Sequence, residues 1–128
     1  MREYERHEAG IPVKILFAGK KFDFIIDNVS LGGMACHGSK DFRVGEEVEI
    51  EISLLNPVYA SRGKIVWCKE VGDYFELGVE HRGAKDKARL DMVEQISHIE
   101  HYRADIMTAE GREISGEQAA REWISKHT

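Results

Sequence analysis

A chain of 128 residues, 42% hydrophobic and 32% charged, has the length and composition of about one globular domain, neither disordered nor fibrous. Its formal net charge of −5 and pI of about 5.7 argue against a broad basic face for DNA or RNA, but not against a small anionic ligand. No apolar run approaches the roughly 18–20 residues of a membrane helix, and no basic-then-apolar leader opens the chain, so a cytoplasmic protein without membrane insertion is expected.

Residues 1–10 are charged and aperiodic and read as a flexible N-terminal arm. In the next stretch Ile11, Val13, Ile15 and Phe17 alternate with Pro12, Lys14 and Leu16, the period of a strand. Ala18-Gly19-Lys20 turns the chain into a second strand, Phe22 to Val29, which Gly32-Gly33 interrupts before Met34-Ala35-Cys36. Between Glu46 and Leu54 the residues Val48, Ile50 and Ile52 alternate with glutamates, one face buried and one in water. After Asn56-Pro57 a long strand runs from Val58 to Lys69, with Gly63 as its expected bulge, and Val71-Gly72-Asp73 leads into Tyr74 to His81. Six strand-like segments with short connections and no intervening helix predict an antiparallel barrel or sandwich. Cys36 and Cys68 match no metal spacing and read as free thiols in apolar stretches.

From Ala84 the period lengthens. Val93, Ile96, Ile99, Ile106 and Met107 recur at helical steps until Gly111. A second, short helix is predicted from Ser115, whose hydroxyl caps it while Gln118 reaches back and Ile114 staples to Ala119. Trp123 and Ile124 give this helix an apolar face suited to docking or to a homodimer. Glu94, His98, His101 and Asp105 share one face of the longer helix, opposite its apolar stripe, and read as solvated surface rather than a metal site. No nucleophile elbow, phosphate loop or hydrolase order of Ser, His and Asp is present, so no enzyme activity and no cofactor are expected.

Two short patterns carry the functional reading. Arg2-Glu3-Tyr4-Glu5-Arg6 places two arginines four apart in the arm. Asn28-Val29-Ser30-Leu31-Gly32-Gly33 ends the second strand. An arginine fork donates to the O6 and N7 of guanine together, or to paired phosphate oxygens, as the point charge of lysine does not. Asn28 and Ser30 are short polar groups able to donate to a base edge or a phosphate, and Gly32 and Gly33 leave room for a ligand and permit positive φ.

In this order the patterns resemble the PilZ domain family: an RxxxR arm, a strand-turn-strand, then [D/N]xSxxG, filled by Arg2, Arg6, Asn28, Ser30 and Gly33. Gly63-Lys64-Ile65-Val66-Trp67 and Leu77-Gly78-Val79 also look like strands of that family, although Glu80 stands where an aromatic residue is common. The resemblance implies a six-stranded antiparallel barrel over residues 11–82, a packing helix over 84–107 and, beyond the family pattern, a helical extension over 108–128. It implies cyclic di-GMP as the ligand, bound by Arg2, Arg6, Asn28, Ser30, Gly32 and Gly33 on one outer face, and an unidentified protein target that reads the ordered arm. The alternative is a PilZ-like adaptor for motility or pili that binds no nucleotide. A single-stranded nucleic-acid barrel is disfavoured, since it needs a basic groove and exposed aromatics, and the aromatics here are mostly phased inward.

Overall fold

The computed structural model describes residues 10–83 and 86–127. Six strands form: β1 (Ile11–Phe17), β2 (Lys20–Val29), β3 (Gly33–Gly38), β4 (Glu47–Ile52), β5 (Tyr59–Val71) and β6 (Tyr74–Arg82). All pairings are antiparallel, and the order β1-β2-β3-β6-β5-β4 closes on itself through Lys14↔Glu51, Ile15↔Ile50 and Leu16↔Glu49. Closure gives the six-stranded barrel that the family resemblance implies and pairs both edges of the sheet among the described residues. Alternation then sorts the side chains: Ile11, Val13, Ile15, Phe24, Ile26, Val48, Ile50, Ile52 and Ile65 fill the interior. At about 25 cal/mol per Å² of apolar surface removed from water, such a core is the main source of stability.

β1 and β2 are joined by Ala18 and Gly19, both at positive φ (52° and 77°), with Phe17 paired to Lys20. This is a two-residue turn whose twist suits a hairpin, but alanine occupies a left-handed position that costs a side chain about 1 kcal/mol. Ala18→Asn is therefore expected to raise stability by about 0.5–1 kcal/mol, seen as a higher urea midpoint at unchanged slope.

Gly63 is not a bulge. It faces the interior, where an added Cβ would lie 2.5 Å from Val79 Cγ1 and 2.7 Å from Ile50 Cδ1, so it is small because the core is full. The bulge in β5 lies at Val66, between the Ile65↔Val79 and Trp67↔Gly78 pairs. A second interrupts β2 at Asp27, between Ile26↔Cys36 and Asn28↔Ala35.

Two helices follow, α1 (Asp86–Glu110) and α2 (Gly116–His127). Met92, Ile96, Ile99 and Ile106 of α1 join the barrel core, whereas Met107, expected on that face, is 46% exposed near the helix end. The Ser115 hydroxyl caps α2 by accepting from the Gln118 N–H at 3.0 Å. The Gln118 side chain does not reach back; it donates instead to Glu122 Oε2 at 3.0 Å, one turn along. Trp123 of α2 stacks between His98 of α1 (5.5 Å) and His127 (4.6 Å), and Arg103 Nε donates to the Ile114 carbonyl at 2.8 Å, fixing the helix pair. No helix among the described residues is long and apolar enough to cross a membrane.

Candidate functional site

The bulge at Asp27 sets up the site. With one extra residue in β2, Asn28 stands opposite Ala35 on the outer wall of the barrel. The chain then turns sharply, and the Ser30 N–H donates to the Gly33 carbonyl at 2.8 Å. The Ser30 hydroxyl spans the same turn, accepting from the Gly33 N–H and donating to its carbonyl, each at 3.3 Å. Two further bonds anchor the turn: the His81 N–H donates to the Gly32 carbonyl at 3.0 Å, and Arg89 Nη1 of α1 donates to the Leu31 carbonyl at 3.5 Å.

The two glycines differ in purpose, and neither has the positive φ that the sequence suggested. Gly32 faces open space: a methyl group added there would find Ser30 Oγ as its nearest neighbour, at 4.0 Å. Gly33 lies against β6, where a Cβ would be 2.4 Å from the Val79 carbonyl oxygen. It is glycine because two backbones meet there.

The second wall comes from β5 and β6. Strict alternation from the buried Ile65 would turn Trp67 inward, but the bulge at Val66 reverses the phase and leaves Trp67 38% exposed on the outer face. Its indole lies flat over Gly78: a Cβ there would fall 2.0 Å from Nε1. Asn28, Ser30, Gly33, Ala35, Trp67 and Glu80 thus border one shallow groove of about 320 Å³. Its only ionisable lining group among the described residues is Glu80, neutralised by Arg82 Nη2 at 2.8 Å. The groove offers an aromatic face, neutral hydrogen-bonding groups and no cation among the described residues that line it.

His81 lies directly beneath the turn and is 4% exposed. Burial pushes its pKa below the usual histidine range and the Arg89 charge pushes the same way, while the Ser30 and Gly33 backbone groups oppose both more weakly. Its ring is edge-on to Tyr59 at 6.3 Å.

Of the residues singled out in the sequence, Asn28, Ser30, Gly32 and Gly33 come together at this groove. Arg2 and Arg6 lie outside the described residues. Trp67 and Gly78 were not anticipated as a pair. The available cue was Gly78 itself, since glycine within a strand often marks the close approach of another group.

The solved structures that share the fold include the following three. The PilZ domain of YcgR from Escherichia coli with cyclic di-GMP superposes with a TM-score of 0.62 at 15% identity, covering 81% of this chain and 97% of that one. YcgR from the same organism in complex with cyclic di-GMP gives 0.61 at 17% identity, covering 87% and 50%. The Bacillus subtilis inhibitor of motility MotI (DgrA) gives 0.60 at 16% identity, covering 76% and 49%. The present chain thus spans about half the length of the latter two proteins. No curated protein matches it. Residues 1–97 match the PilZ domain family, and with the closed barrel and its turn motif in place the chain belongs to that family.

Proposed function

We propose that this protein is a receptor for cyclic di-GMP that passes the level of this second messenger to a protein target. The observation that carries the reading is the groove itself, where Asn28, Ser30 and Gly33 of one motif border the exposed indole of Trp67. A guanine stacks on an aromatic face with about 1–3 kcal/mol per base, and Asn28 and Ser30 offer donors to base or phosphate edges. The guanidinium groups of Arg2 and Arg6, the arginines of the family's RxxxR pattern, supply charge and bidentate donors for the two phosphates. Binding orders the arm onto the barrel face, and the new surface is what the target reads. The likeness to MotI, an inhibitor of motility, makes a motility target the first class to test.

Isothermal titration with cyclic di-GMP, with GTP and cyclic di-AMP as controls, tests this. Saturable heat is expected for cyclic di-GMP alone, accompanied by a change in Trp67 emission in a Trp123→Phe background. Arg2→Ala and Arg6→Ala are each expected to cost about 1–3 kcal/mol of affinity, the value of a good bidentate contact. A parent protein that gives neither heat nor thermal stabilisation refutes the receptor reading.

A further inference from the structure

The outer face of the barrel continues past the groove. In the groove, Asn28, Ala35, Gly78 and Trp67 form one cross-strand row. The next row on the same face is Ile25, His37, Glu76 and Lys69. Two residues along a strand separate the rows, roughly 7 Å.

Between these rows sits Asp27, the extra residue of the β2 bulge. Its side chain is 3% exposed, yet it is a carboxylate, and its Oδ1 accepts from His37 Nδ1 at 2.7 Å. Oδ2 has no hydrogen-bond partner among the described residues. His37 is 37% exposed, and the ring of Tyr74, itself 38% exposed, tilts against it at 5.5 Å. A buried carboxylate with an unsatisfied oxygen is an expensive way to hold two strands together, and an apolar pair would do it at less cost. What the arrangement does achieve is orientation. A carboxylate only accepts, so Nδ1 carries the proton, and in that tautomer Nε2 is the acceptor, on the side away from the buried oxygen.

We propose that His37, oriented by Asp27 and backed by Tyr74, is a second subsite continuous with the groove. The ligand it fits is a planar heterocycle bearing N–H donors, the second purine base of a cyclic dinucleotide whose first base lies at Trp67. This rests on the receptor reading above. His37 is the contact, and Asp27 is a positioning residue that acts through it.

The test has two parts. Long-range proton–nitrogen correlation spectra of the ring nitrogens of the unaltered protein are recorded before and after saturation with cyclic di-GMP. The Nε2 resonance of His37 is expected to move on saturation, which a purely structural role does not require. In parallel, His37→Phe keeps a ring against Tyr74 but removes Nε2, and is expected to weaken cyclic di-GMP binding about tenfold in titration. If the unaltered protein gives no heat at all, the receptor reading and the subsite fall together. If it binds while Nε2 stays unmoved, only the subsite is overturned, whether or not the variant folds. Binding by a folded His37→Phe variant as tight as the parent's overturns it equally.

Discussion

Gly33→Ala is expected to cost about 3 kcal/mol of stability and to abolish ligand binding, while Gly32→Ala, one residue away, leaves stability nearly unchanged. The contrast comes from what each new methyl group would meet. At position 33 the nearest atoms are the Val79 carbonyl oxygen at 2.4 Å, its carbon at 3.3 Å and Glu80 Cα at 3.4 Å. All are backbone, so no side chain can rotate aside, and the end of the β3–β6 seam must part. Overpacking of this kind costs typically about 1–3 kcal/mol, and the upper end applies where the obstacle is a paired strand. The same displacement carries away the Gly33 carbonyl that accepts from Ser30 and strains the Gly32 carbonyl bonded to His81. At position 32 nothing lies nearer than 4.0 Å and φ is not positive, so the change should stay within about 0.5 kcal/mol. Urea unfolding and titration with cyclic di-GMP on both variants decide the point. Equal behaviour of the two would show that the turn tolerates displacement and that close approach is not what the motif glycine provides.

The strands were legible because burial on one face imposes a period of two, and β1 shows it plainly from Ile11 to Ile15. Barrel closure was legible only through the family resemblance, since three backbone pairs between β1 and β4 leave no mark in either strand's own pattern. The turn motif was legible as chemistry, Asn28 and Ser30 being small polar groups beside glycine. Its partner wall was not, and the reason lies in the bulges. One extra residue at Val66 reverses the phase of everything after it, so strict alternation from Ile65 points Trp67 inward while the fold sets it outside over Gly78. The bulge at Asp27 hid a buried carboxylate in the same way, because an aspartate at a strand end reads as solvent-facing. Gly63 looked like the natural bulge, yet its smallness answers to Ile50 and Val79 across the interior. A bulge depends on pairing between strands, so local sequence locates it poorly, and here both bulges border the site.

Acid is expected to destabilise the protein through His81, and His81→Leu to remove that part of the pH dependence. The folded state holds this imidazole neutral, because burial and the Arg89 charge lower its pKa from 6.5. The unfolded chain frees it to titrate near its ordinary value. Between the lowered folded value and about 6.5, the unfolded state therefore binds more protons, and stability rises with pH across that window. Above it both states are neutral and His81 contributes no slope; below it both are charged and the loss levels off. One proton sets a ceiling of about 1.4 kcal/mol per pH unit on the effect. The chain has six histidines, so the total slope does not identify His81, but the difference between parent and variant does. Leucine suits the comparison: it cannot charge, and neither His81 ring nitrogen makes a hydrogen bond of good geometry among the described residues for it to forfeit. Urea midpoints measured from about pH 5 to 8 should fall more steeply in acid for the parent than for the variant. Parallel curves would mean that the ring accepts a proton in place, relieved by the Ser30 and Gly33 backbone above it. The turn, bonded to the same residue through Gly32, would then sit on a charged support in acid without yielding.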